Sequence, residues 1–78
     1  MNSEQVNQVA VRSVLVPDSL IPQVAMGSAI QCLSVDDKGY RFRRMNLFYA
    51  GEEFFMARPM LEQSHWMFAP NNMQLRFL

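Results

Sequence analysis

Read for the spacing of its apolar and polar positions, the chain alternates in several short stretches, the pattern of strands with one buried face. Over residues 9–16, Val9, Val11 and Leu15 fall on one side and Arg12 on the other, with Ser13 interrupting the apolar face. Pro17 stops that strand, and Asp18 and Ser19 follow as helix-capping types. Residues 20–33 carry two patterns. Leu20, Ile21, Val24, Ala25, Ser28, Ala29, Cys32 and Leu33 recur at helical spacing, with Pro22 tolerable in a first turn, and this helix is the favoured reading. The competing strand takes residues 30–35, whose two sides are mixed in character.

Asp36-Asp37-Lys38-Gly39 is the clearest turn, because aspartates accept local backbone bonds and glycine tolerates unusual φ. Residues 40–49 then read as a strand with Tyr40, Phe42, Arg44, Asn46 and Phe48 on one side. Arg41, Arg43, Met45, Leu47 and Tyr49 take the other, and each side changes character near Arg43-Arg44, where a bulge would reset the alternation. A turn at residues 50–52 leads to a returning strand over 53–57. Pro59 breaks that strand and starts a short helix toward His65. After a turn at residues 70–72, Met73, Leu75 and Phe77 alternate with Asn72, Gln74 and Arg76 as a last strand. The elements predict an α+β fold built on a small antiparallel sheet with one or two short helices, with a small all-β barrel as the alternative. Residues 1–8 are polar and read as a flexible arm that Val6 and Val9 would tether; residues 9–78 form a single compact domain.

Composition raises the question of a partner. The chain has 78 residues, half of them apolar and 18% charged. A domain this small buries only about 60% of its unfolded surface. An apolar stock this large serves either its own core or a core plus an exposed patch, and a homodimer would extend it. Seven basic residues balance seven acidic ones, so no general attraction to nucleic acid or anionic lipid is expected. The uncharged run over 19–35 is broken by Pro22, Gln23, Gly27, Ser28 and Gln31 and is too polar for a membrane span. The start lacks a secretory pattern, and a cytoplasmic location is the expectation.

Four groups of residues carry candidate chemistry. Lys38, Tyr40, Arg41, Phe42, Arg43 and Arg44 mix basic and aromatic types. Alternate arginines on a strand lie roughly 7 Å apart, a spacing that suits adjacent phosphates while rings stack on bases. The same arginines suit an acidic protein surface through their bidentate fork. Glu52 and Glu53 precede Phe54 and Phe55, and neighbours on a strand face opposite ways, which places one ring in the core and leaves the other for a partner. His65 beside Trp66, with Cys32 or Ser64 as nucleophile, is the catalytic alternative, although no established catalytic motif surrounds them. The fourth group is Phe54, Phe55, Met56, Met60, Leu61, Trp66, Met67 and Phe68, an aromatic and methionine-rich set with Arg58 or Arg76 at its rim. One cysteine and one histidine are too few for an intrachain soft-metal site, and no cofactor is expected.

The leading expectation is a noncatalytic adaptor or inhibitor that binds another protein, with an acidic surface, through Arg41, Arg43, Arg44, Phe54, Phe55, Arg58, Trp66 and Phe68. An exposed strand edge is a second route to the same end. RNA or single-stranded DNA binding through residues 38–44 is the main alternative, and a small enzyme using His65 the third.

Overall fold

The computed structural model describes residues 1–18, 28–45 and 50–70. In chain order the elements are α1 (Ser3–Gln8), β1 (Val14–Pro17), β2 (Ile30–Val35), β3 (Gly39–Met45), β4 (Ala50–Ala57), α2 (Arg58–Glu62) and β5 (Trp66–Phe68). The five strands form one antiparallel sheet in the order β4-β3-β2-β1-β5. The domain is α+β with two short helices, and its sheet is open: β4 and β5 are its two ends, which corrects the barrel alternative.

Both helices lie on one sheet face. Val6 of α1 and Leu61 of α2 are fully buried in a cluster with Val9, Leu15, Ile30, Cys32, Tyr40, Phe42 and Met56. The alternation of β3 and β4 produces this face, because Tyr40 and Phe42 lie directly opposite Met56 and Phe54. Helix α2 carries the chain from the β4 edge across this face to β5 at the other end.

Residues 3–8, read from sequence as part of an arm, form a helix instead. The Asn2 side chain accepts from the Gln5 amide at 2.7 Å, and the Gln5 side chain accepts from the Asn2 amide at 2.9 Å. Such a reciprocal box satisfies two of the donors that a helix start leaves open, and burial of Val6 then anchors the turn. The Met1 amino nitrogen donates to the Ser64 carbonyl at 2.8 Å, beside the end of α2.

Several strands differ from the sequence expectation: β4 already begins at Ala50, where a turn was expected, and Trp66–Phe68 form β5, where no strand was expected. β1 is confined to Val14–Pro17, and Val11 is exposed in the preceding loop, where Arg12 takes a φ of 79°. Leu15 faces the helices. Val14 and Val16 face the other way, yet both are buried, with Ala29, Ala69 and Met45 around them. A strand covered on both faces shows no alternation, which is why the pattern over residues 9–16 misplaced it. Residues 30–33 belong to β2, so the helical reading fails there; residues 19–27 lie outside the described part. The helical spacing of Cys32 and Leu33 is overridden by pairing with β1 and β3, whose ladders take up Ile30, Gln31 and Cys32 and skip Leu33 at a register shift.

The turn prediction holds. Asp36 Oδ1 accepts from the Lys38 and Gly39 amides at 2.7 and 3.0 Å, closing the β2–β3 hairpin. The register between β3 and β4 shifts between Arg43 and Met45, where the sequence changes sides. The last predicted strand, over residues 72–77, and positions 46–49 lie outside the described residues.

Candidate functional site

Because the helices cover one face of β3 and β4, the side-chain alternation of these strands divides the candidate residues in two. Tyr40 and Phe42 point into the core, 4% and 0% exposed. Their rings stack on each other at 6.2 Å between centroids, and Phe42 meets Phe54 at 5.9 Å. The Tyr40 hydroxyl donates to the Val6 carbonyl at 2.8 Å and accepts from Arg58 Nη1 at 3.2 Å. These two rings are thus committed to the interior, and base stacking on them would require the core to open.

The other side of the same strands is solvent-facing. Arg41 lies opposite Ser34 on β2 and Phe55 on β4. Arg43 lies opposite Gln31 and Glu53. Arg43 Nη2 and Glu53 Oε2 are 3.4 Å apart, an exposed pair worth at most about 1 kcal/mol. Arg41 has no ion pair or side-chain hydrogen bond among the described residues. Phe55 beside it is 44% exposed. An exposed aromatic ring, a guanidinium unpaired among the described residues and an exposed ion pair therefore share one end of the sheet. The opposite end of this face is closed by the Val14 and Val16 cluster, with Met67 exposed opposite Val16.

The remaining candidates are dispersed. The Arg44 guanidinium lies 5.3 Å from the Phe54 ring centroid, on the helix side, and Phe54 packs half-buried against the core. Trp66 and Phe68, on β5, also pack against the core. Arg58 is tied to α1 and the sheet through Asn7 and Tyr40, and its Nε lies 3.6 Å from Glu62. Met56 and Leu61 are buried, while Met60 is exposed on α2. The aromatic and methionine-rich set is therefore not one patch. Its exposed large members are Phe55, Met60 and Met67, on separate elements. Lys38 sits in the β2–β3 turn, and Arg76 lies outside the described residues. Exposed Val35, beyond the β2 bulge, has no distinguishing sequence signal because its neighbours Ser34 and Asp36 are also exposed.

His65 is exposed, whereas Cys32 is buried in the core. The Ser64 hydroxyl donates to the Leu61 carbonyl at 2.6 Å, so its proton serves the end of α2. Among the described residues no group of three or more His, Cys, Asp or Glu is placed to hold a metal ion, and no helix is long and apolar enough to cross a membrane. Burial pushes the Cys32 thiol above its ordinary pKa, partly opposed by its hydrogen bond with Ser34. A raised thiol pKa favours the folded state only while the unfolded thiol stays protonated. Its contribution is lost as pH rises from the ordinary thiol value through the folded one. Urea titrations between about pH 8 and 10 should show stability falling in the wild type and falling less steeply in Cys32→Val. Equal slopes would assign the loss to other groups.

Compared with protein-family models, curated proteins and solved structures, the chain finds no match.

Proposed function

We propose that the chain is a small noncatalytic protein-interaction domain, an adaptor or inhibitor, that binds through the Phe55 end of its sheet. One observation carries this reading: exposed Phe55 stands directly across the strand from Arg41, whose guanidinium is unpaired among the described residues. An aromatic anchor beside an exposed arginine matches the composition of binding hot spots. The planar fork of Arg41 recognises a carboxylate with two parallel hydrogen bonds, which favours an acidic group on the partner next to an apolar recess. Arg43, paired with Glu53, sits at the rim, where charge affects orientation more than affinity.

The test is affinity capture from nuclease-treated native extract with the wild type and with a variant carrying both R41E and F55S. Both substitutions lie on the solvent side of the sheet, so circular dichroism and thermal midpoint should stay close to wild type. The expected result is a stoichiometric protein retained by the wild type and weakened at least about tenfold in the double variant. Loss of every partner on nuclease treatment, with steep salt-dependent binding of pure RNA or single-stranded DNA, would replace this reading with nucleic-acid contact through Arg41 and Arg43.

A further inference from the structure

Just before β1 the backbone takes a conformation that its side chain does not favour. Arg12 has a φ of 79°, and among the described residues it is the one non-glycine with a positive φ. It is the third residue of a turn over residues 10–13. There the Ser13 amide donates to the Ala10 carbonyl, and the Ala10 amide to Ser13 Oγ, both at 3.0 Å. A turn with positive φ at its third residue takes glycine or asparagine, since a β-carbon crowds the backbone there. The same residue opens a bulge against β2. The Arg12 amide donates to the Cys32 carbonyl and the Cys32 amide to the Ser13 carbonyl, both at 2.8 Å, so two residues face one. The first position of such a bulge is again a place for glycine.

An arginine at this point costs folding free energy, and nothing among the described residues offsets it. Arg12 is exposed and makes no ion pair or side-chain hydrogen bond there, and its neighbour Val11 is 56% exposed. The backbone of the turn is held on both sides, so the side chain projects from a fixed base. Gln31, in the same row as Arg43 on the solvent face, donates its side-chain amide to the Arg12 carbonyl at 3.3 Å. That bond sets the turn beside the face that carries Arg41. Arg12 opposes Cys32 from the β1 side of β2, and Arg41 opposes Ser34 from the β3 side. Two inter-strand steps, roughly 10 Å, separate their backbones.

On the reading that the Phe55 end binds an acidic partner, we propose that Arg12 is a second anchor of the same surface. The occupant is an extended acidic segment of another protein that sets one carboxylate on Arg41 and another on Arg12. Charge selects this occupant, because Arg12 and Arg41 are both unpaired among the described residues, while Glu53 in the neighbouring row is already engaged by Arg43. An extended chain advances about 3.3 Å per residue and alternates its sides, so carboxylates two or four positions apart share one side of it. The long arginine stems meet that spacing, and each planar fork takes a carboxylate with two parallel hydrogen bonds. Since the turn is already fixed, binding has only the side chain to order.

A library of short random peptides displayed on phage, panned against the full chain, tests the inference. Selected peptides should carry two acidic residues at one of these spacings. Arg12→Asn should raise the dissociation constant of a selected peptide at least about tenfold, and R41E should weaken it as well. Asparagine suits the positive φ, so the thermal midpoint of Arg12→Asn should equal or exceed that of the wild type. Stability kept or gained while binding is lost is a combination that a purely structural residue would not give. Peptides whose affinity ignores Arg12, the absence of any enriched peptide, or a midpoint lowered by more than about 5 °C in Arg12→Asn each overturn the inference. Single-stranded DNA that binds the wild type more tightly than any selected peptide, and loses that affinity in Arg12→Asn, would overturn the acidic occupant in favour of phosphates. Peptides that need Arg41 and Phe55 but not Arg12 leave the interaction reading standing and overturn only the second anchor. Peptides that bind the R41E and F55S double variant as tightly as the wild type overturn both.

Discussion

Phe42→Ala is expected to remove about 3–5 kcal/mol of stability, most of what a domain of this size has. The ring is fully buried at the centre of the β3 face, stacked against Tyr40 and touching Phe54, with Val6, Leu15 and Leu61 in the same cluster. Its removal takes apolar surface out of the core and leaves a void bounded by two helices and the sheet, which cannot all move in together. Chemical denaturation should show a midpoint shifted far toward zero denaturant, or no cooperative transition. The R41E and F55S double variant, two positions of the same strand pair facing the other way, should keep nearly the wild-type transition. A Phe42→Ala protein losing less than about 1.5 kcal/mol would mean that the core repacks around the missing ring.

Gly39→Ala should cost roughly 1–3 kcal/mol, at the upper end for its kind. A β-carbon built on Gly39 comes within 2.9 Å of the Ala57 Cα and of the Phe55 ring, and it also crowds the Met56 carbonyl oxygen. The ring could turn aside, but two of these three neighbours are β4 backbone. The residue opposite Gly39 in the ladder is Ala57, so relief requires β3 and β4 to separate where β4 hands over to α2. Thermal denaturation followed by far-ultraviolet circular dichroism measures this loss. A midpoint unchanged from wild type would show that the strands spread without penalty.

What the sequence made legible follows from how local each determinant is. The Asp36 to Gly39 turn is closed by bonds spanning two or three residues, and it was readable. So was the division of Tyr40 and Phe42 from Arg41 and Arg43, since alternation along a strand is a local property. The β1 boundaries were not, because burial of Val14 and Val16 on the second face depends on Ala29 and Ala69, which are distant in sequence. Residues 30–33 satisfied helical and extended spacing alike, and only the pairing partners decided between them. The first helix is signalled by Asn2 and Gln5, a polar box with only Val6 behind it, which composition alone reads as an arm. For the candidate site, periodicity separated Phe54 from Phe55 but did not reveal which ring the helices would cover. That choice, made by α1 and α2, divides the aromatic set between core and surface.

The placement of β1 between β2 and β5 also sets an order of assembly. The β2–β3–β4 meander closes through neighbours in sequence, whereas Leu15 completes its second row of pairing only with Phe68, after the chain has crossed the sheet through α2. Long-range closure of this kind is slow compared with hairpin formation. The outer edge of β1 therefore closes only when the residues that follow α2 join the sheet.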